Sequence, residues 1–177
     1  MKKLLYPALF VIMLSSSAFT MLVNTKWTPK EDAYTVKFNS KKGKEFSGIF
    51  KGLKSDLIFD ENNPAAAKIS ASIDAGSVNT GNGMRNKHAR QGLGADQFPT
   101  VKFESSSIVK SGAGYEATGK LTIKDVTKEM KFPFTFSKSD NGGVFAGKFM
   151  LVPAEYHVVK SGTPDLLEIE LNIPVTK

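Results

Sequence analysis

The chain has 177 residues and no cysteine, and its 24 lysines and arginines against 17 acidic residues give a formal net charge of +7. A chain of this length buries about 70% of the surface that its unfolded form exposes, so one domain with a proper core is expected. The missing cysteines exclude disulfides, thiolate metal ligands and cysteine nucleophiles. The basic residues are spread along the chain without an arginine stripe or an aromatic platform, which argues against a nucleic-acid-binding protein.

The first residues have the pattern of a secretory signal peptide. Two lysines precede an apolar run over residues 4–14, and small residues follow it. We expect residues 1–18 to be a cleaved signal peptide and residues 19–177 to form the mature domain, located in the periplasm or secreted. The alternative is an uncleaved membrane anchor, which Pro7 and the serine run disfavour because they interrupt an apolar helix.

Past this segment, short runs of alternating apolar and polar residues predict β-strands separated by turns. Residues 34–38 are the first such run, and residues 46–59 form a second with glycines as bend points. The glycine-rich stretch at residues 139–143 predicts a hairpin. Further strands are predicted near residues 68–75, 101–105, 114–123, 130–136, 144–152 and 167–175.

Pro133 lies within one of these predicted strands, on the face opposite its methionine and phenylalanines. Proline has no N–H group to donate to a neighbouring strand. We therefore expect this strand to be an edge strand, to be bulged, or to be paired on only one side near Pro133.

A short polar insert separates the predicted strands at residues 68–75 and 101–105. It brings Arg85, Lys87, His88 and Arg90 into six consecutive positions. These are too many charges for a buried segment, and the apolar residues are too few for an independent helix. We expect a helix-like insert on the surface or the rim of the domain.

About eight strands and one short helical insert predict an all-β fold, an eight-stranded antiparallel barrel. The interior of such a barrel is just wide enough for side chains or one slender ligand. The inward positions mix large phenylalanines with Ala71, Gly119 and Gly147, a pattern that fits a channel and also fits a solidly packed interior. A two-sheet sandwich is the alternative fold, because the number of strands does not decide closure.

Motifs for catalysis are missing from the sequence. The two histidines, His88 and His157, have no second histidine at a metal-binding spacing. Adjacent carboxylates such as Asp60 and Glu61 would point apart on a strand, which is unsuitable for joint acid and base chemistry. We therefore predict neither an enzyme nor a protein with a metal or a cofactor.

Four motifs stand out together: SVNT at residues 77–80, the pair Arg85 and His88, FPTVKF at 98–103 and GKLTIKDVTKEM at 119–130. In combination they resemble the YceI-like family of lipocalin-like, polyisoprenoid-binding periplasmic proteins. The resemblance covers most of the chain from Trp27 onward. Two positions depart from the family pattern, because Asn86 replaces an acidic residue and Ala89 replaces a bulky apolar one. Both departures concern the head-group end of the site.

The resemblance implies a lipocalin-like barrel whose long apolar pore takes up an isoprenoid or another long-chain lipid. Three residues of the insert are predicted to lie at the rim, where they meet a ligand head group or fix the insert: Arg85, His88 and Arg90. The predicted pore residues are Phe38, Ile69, Ala71, Ile73, Val101, Phe103, Leu121, Ile123, Phe132, Phe134, Phe149, Ile169 and Leu171.

The sequence thus predicts an exported protein that sequesters or carries a long apolar lipid in a barrel pore. It would act as a monomer or homodimer, with transient membrane contact and without nucleic acid. The alternative is a solid barrel with a stress-protective or interaction role, whose basic rim meets an acidic partner or an anionic membrane surface.

Overall fold

The computed structural model describes residues 25–41 and 45–177, so the predicted signal peptide lies outside the described residues. The helix α1 (Gly83–Leu93) lies between the fifth and sixth of ten strand segments. Single turns of 3-10 helix occupy Pro64–Ala66, Ala75–Ser77 and Pro153–Tyr156. Among the described residues, no helix is long and apolar enough to cross a bilayer. The strands are β1 (Lys26–Pro29), β2 (Thr35–Ser40), β3 (Ser47–Phe50), β4 (Lys54–Ile58), β5 (Lys68–Asp74), β6 (Thr100–Ser111), β7 (Gly114–Ile123), β8 (Val126–Ser139), β9 (Gly142–Leu151) and β10 (Leu167–Thr176).

The segments form a closed antiparallel barrel of eight strands, because the first two strands are each divided in two. Segments β1 and β2 both pair with β10, while β3 pairs with β2 and β4 pairs with β1 and β5. The strands from β5 to β10 then pair in chain order. The predicted eight-stranded barrel with one helix is confirmed, and the sandwich alternative is wrong.

The division of the second strand occurs at Gly52, whose φ of +71° lies in the left-handed region that favours glycine. On the N-terminal side of this bend, β3 does not continue in the direction of β4, and it does not pair with β5. A single β-bridge, between Ile49 and Asn79, joins β3 to the connection between β5 and α1. The bend therefore carries β3 and β2 away from β5 at one end of the barrel.

Pro133 marks the place where β8 separates from β9. Strand β8 pairs with β7 from Val126 to Phe134, whereas its pairing with β9 covers only Phe134–Ser139. Because proline has no N–H donor, the ladder to β9 stops beside it. Of the three arrangements predicted for this strand, the structure shows pairing on only one side near Pro133.

Aromatic side chains fill one end of the barrel, which we call the closed end and which contains the turns between β6 and β7 and between β8 and β9. Phe59 is 1% exposed at its centre. Its ring lies 4.9–5.9 Å from the rings of Tyr115, Phe134, Phe136 and Phe145. Trp27 adds a hydrogen bond, with its Nε1 donating to the carbonyl oxygen of Phe59 at 2.9 Å. Tilted and edge-to-face rings at these distances pack an interior without a channel.

The opposite end, which we call the mouth, carries α1 and the connection between β9 and β10. The Oδ1 of Asn82 accepts a hydrogen bond from the backbone N–H of Arg85 at 2.9 Å, and Gly94 ends the helix with a φ of +60°. The Oδ1 of Asn86 accepts bonds from the N–H and the hydroxyl of Thr80 at 2.8 and 2.7 Å. These bonds fix α1 to the turn before it, so the insert is a helix on the rim, as predicted.

Candidate ligand-binding cavity

A cavity of about 230 Å³ lies in the barrel between the closed end and the mouth. Each of the eight strands contributes side chains to its wall, and almost all of these side chains are apolar. Ile69, Ile73, Phe103, Phe149 and Ile169 point inward and yet stay only half-buried. Inward apolar residues in a solid core would be fully buried, so the incomplete burial reflects an open interior.

Twelve of the thirteen predicted pore residues line this cavity. The exception is Phe38, which is not among the residues that line it. Its ring lies against the backbone of Gly48 on the paired strand, with the rings of Phe46 and Phe50 at 6.2 and 5.5 Å. The absent side chain at Gly48 gives the ring a place beside the cavity. The twelve are Ile69, Ala71, Ile73, Val101, Phe103, Leu121, Ile123, Phe132, Phe134, Phe149, Ile169 and Leu171.

The small inward residues do not all leave empty space. A β-carbon on Gly119 would lie 2.6 Å from Cζ of Phe103, so that ring occupies the place of the missing side chain. A β-carbon on Gly147 would meet Cβ of Phe134 at 3.4 Å. Ala71, by contrast, faces the cavity directly. Of these three small inward residues, Gly119 and Gly147 therefore add little open space, and Ala71 borders the cavity.

The mouth side of the cavity is covered by three apolar residues that lie outside the strands. Leu93 in the last turn of α1, together with Pro153 and Val158 in the connection after β9, lines the cavity. A β-carbon on Gly92 would lie 3.6 Å from Val158, so the helix end and the connection are in contact. We call this cover, formed by residues 92–93 and 153–160, the roof. The sequence predictions missed it.

Polar contacts connect the roof to the hairpin formed by β7 and β8. Lys128 Nζ lies 3.0 Å from Glu155 Oε2, and Lys124 Nζ donates to the carbonyl oxygen of His157 at 2.8 Å. Both contacts are exposed to solvent, so each contributes little to stability. These two polar contacts alone therefore hold the roof weakly.

Tyr156 anchors the roof by burial. It is 4% exposed and packs against Leu121 and Ile123. Burial raises the pKa of the Tyr156 hydroxyl, and the neighbouring Glu155 carboxylate raises this pKa further. The hydroxyl therefore stays neutral at physiological pH.

The predicted rim residues lie on α1 but outside the cavity wall. The guanidinium carbon of Arg85 lies 4.5 Å from the centroid of the Phe46 ring, a cation–π contact. His88 and Arg90 are exposed. Contact of these residues with a ligand head group stays a prediction.

Ser55 is a polar exception in the wall of the cavity. Its Oγ is buried and has no hydrogen-bond partner among the residues that the structure describes. A buried hydroxyl without a partner destabilises the folded state. The described residues contain no group of three histidine, aspartate or glutamate side chains that could hold a metal ion.

Sequence comparisons identify relatives over most of the described chain. A family model for the YceI-like domain matches residues 27–176. A UPF0312 protein of Pectobacterium atrosepticum is 32% identical over 135 residues, which are 74% of this chain and 70% of that protein. A UPF0312 protein of Yersinia pestis is 36% identical over 105 residues, which are 56% of this chain and 55% of that protein. The match thus spans about half the length of the Yersinia relative.

Solved structures show the same barrel. The crystal structure of BcnA from Burkholderia cenocepacia superposes with a TM-score of 0.77 at 24% identity, over 85% of this chain and 100% of that one. A polyisoprenoid binding domain from Saccharophagus degradans gives a TM-score of 0.65 at 13% identity, over 85% of this chain and 97% of that one. At these identities the likeness shows the fold.

Proposed function

Because the chain belongs to the YceI-like family, we propose that it is an exported protein that holds a long apolar lipid, a polyisoprenoid or a similar chain, inside its barrel. The observation that carries the proposal is the cavity itself. Apolar side chains from all eight strands surround it, aromatic rings close one end, and the roof covers the other. An apolar cavity of this kind favours an apolar ligand.

The energetics fit a carrier. Each methylene moved from water into the cavity contributes about 0.8 kcal/mol, so a chain of many carbons outweighs the entropy lost on association. Transfer from a bilayer into the barrel gains little, because both surroundings are apolar. A lipid can therefore be taken up and released again.

The size of the cavity restricts the shape of the ligand. Its volume of about 230 Å³ is below the range of about 300–1,000 Å³ that is usual for small-molecule sites. We therefore expect a slender chain instead of a ring system. Met130, a flexible wall residue, can turn aside to admit more of the chain. The polar end of the ligand would stay at the roof, where Lys124 supplies a cation.

Binding without catalysis is part of the proposal. The wall presents carbon atoms where an enzyme would need acids, bases or nucleophiles, and the neighbour from Saccharophagus degradans is described as a binding domain. Export is also part of it, by cleavage after residue 18. Mass analysis of the N-terminus of the accumulated protein tests the cleavage.

Native mass spectrometry tests the function. The protein is purified from cells without detergent, and an organic extract of the same sample is analysed. The proposal predicts one long-chain isoprenoid or similar lipid bound to each chain. A barrel that carries no lipid, and that binds none when a polyprenol is added, would overturn it.

A further inference from the structure

The connections at the two ends of the barrel differ in charge. The three connections at the closed end, residues 59–67, 112–113 and 140–141, contain the carboxylates of Asp60, Glu61 and Asp140 and no lysine or arginine. At the mouth, α1 alone carries three cations and no carboxylate. The molecule therefore presents a basic helix at one end and acidic turns at the other.

Three of the mouth cations have no acidic partner. No carboxylate within the described ranges lies within 4.0 Å of Lys87, Arg90 or Lys160, and all three side chains are exposed. Two mouth carboxylates have basic neighbours, because Glu155 lies 3.0 Å from Lys128 and Asp125 lies 3.5 Å from His157 Nδ1. Asp96, in the connection after α1, and Asp165, in the connection before β10, are further carboxylates at this end. Among the described residues, cations at this end without a carboxylate within 4.0 Å thus include those of α1 and Lys160.

Large apolar side chains are exposed among these cations. Val159 is 65% exposed and follows Val158, which contacts the end of α1. Met84 is also 65% exposed, and it shares a helix face with Lys87 because the two are three residues apart. Exposed apolar residues within a basic surface are the pattern of proteins that bind an anionic bilayer.

We propose that the mouth face, made of the exposed side of α1 and residues 158–160, docks on a bilayer that contains anionic lipids. Lys87, Arg90 and Lys160 contact the head groups, while Val159 and Met84 enter the interface. Docking in this orientation places the roof against the bilayer, so that a lipid passes between membrane and cavity without crossing water. The inference rests on the proposed function for its purpose, but the docking can be measured by itself.

Flotation with vesicles tests the docking, using protein purified from cells that express the full chain. Vesicles of phosphatidylcholine alone are compared with vesicles that also contain phosphatidylglycerol. The variant K87Q/R90Q/K160Q should bind the anionic vesicles about a hundredfold more weakly, since each cation near an anionic surface is worth roughly fivefold in affinity. Added salt should weaken binding of the unmodified protein.

The closed end supplies matched controls. The variant K110Q/K138Q/K177Q loses the same charge from exposed lysines on β6, β8 and the C-terminus, and it should bind like the unmodified protein. V159D should weaken binding about tenfold, whereas V109D, at a valine that is 48% exposed on β6, should have no effect.

Equal losses in the two charge variants, or no preference of the unmodified protein for anionic vesicles, would overturn the docking. The absence of a preference for anionic vesicles is also the result expected if the basic face binds an acidic protein and no bilayer. Lipid content is measured on the same samples. Lipid in the barrel without vesicle binding contradicts the docking alone, and vesicle binding by a barrel that takes up no lipid contradicts the proposed function alone.

Discussion

Gly92 and Lys160 meet across the roof of the cavity: a β-carbon built on Gly92 would lie 3.8 Å from Cβ of Lys160. This separation matches the Cβ–Cβ distance of an average disulfide, about 3.8 Å. The chain has no cysteine of its own, so a pair introduced at these positions has no competing thiol. A reversible lock on the roof can thus be built.

The variant G92C/K160C tests whether lipid passes through the roof. Under oxidising conditions, the disulfide should hold α1 against the connection after β9 and slow both uptake and release of a polyprenol. Reduction should restore the exchange rate of the unmodified protein. Each single cysteine variant serves as a control. Equal rates in the oxidised and reduced forms would mean that lipid enters elsewhere.

Phe59 and Phe149 are expected to respond differently to truncation, because one lies in the closed end and the other in the cavity wall. F59A removes a ring that is 1% exposed and should lower the free energy of unfolding by about 3–5 kcal/mol. F149A widens an existing space and should cost only about 1–2 kcal/mol. Denaturant unfolding of both variants measures the difference.

Lipid binding provides the second measurement for these two variants. F149A should change the preferred length or width of the bound chain, and F59A should leave this preference as it is. If F149A is as destabilising as F59A and binds the same lipids, the interior around Phe149 is a solid core.

Substitution of Ser55 tests whether its buried hydroxyl lacks a hydrogen-bond partner in solution, with denaturant unfolding as the measurement. S55A removes an unsatisfied polar group and should raise the free energy of unfolding of the lipid-free protein by about 1–3 kcal/mol. S70A, at an outward-facing position of β5, is the control and should change stability little. A loss of stability in S55A would show that the hydroxyl is hydrogen-bonded.

Glu168 links three strands at the outer wall and should titrate abnormally. The hydrogen bond from Lys41 Nζ, at 3.0 Å, is the main cause that holds the pKa of Glu168 below its usual value, and Lys148 at 3.6 Å adds to the effect. Desolvation opposes them in part. Because the folded-state pKa is lowered, the stabilisation is present above the unfolded-state pKa and is lost as the pH falls through the folded-state value.

Carboxyl titration by NMR checks this prediction. In K41Q the pKa of Glu168 should rise toward its ordinary value, and the extra stability above the unfolded-state pKa should shrink. In K148Q the rise should be smaller. An unchanged pKa of Glu168 in K41Q would show that the ion pair between Lys41 and Glu168 does not form in solution.

The sequence was sufficient for the barrel and for most of the cavity wall, because strand periodicity decides which side chains point inward. Ile69, Ala71 and Ile73 alternate with polar residues, and all three line the cavity. The roof could not be predicted in this way. Leu93 and Val158 both line the cavity but come from segments without a regular period, and their place there depends on how a helix end packs against a distant connection.

Phe38 shows a second limit of the same reasoning. Its alternation correctly places it on the inner side of β2, yet its ring lies beside the cavity, over Gly48. Periodicity gives the direction of a side chain but not the space left by a partner on another strand. The same cause explains why the space beside Gly119, an inward position that the sequence left undecided between channel and solid packing, is filled by Phe103.

Occlusion of the cavity tests the central claim most directly. Ala71 lines the cavity, while Ser70 beside it faces outward, so A71W fills the interior and S70W adds an equal volume outside. Native mass spectrometry after incubation with a polyprenol should show one lipid bound to the unmodified protein and to S70W, and none bound to A71W that remains folded by circular dichroism. Lipid bound to folded A71W at the level of the unmodified protein would contradict binding inside the barrel.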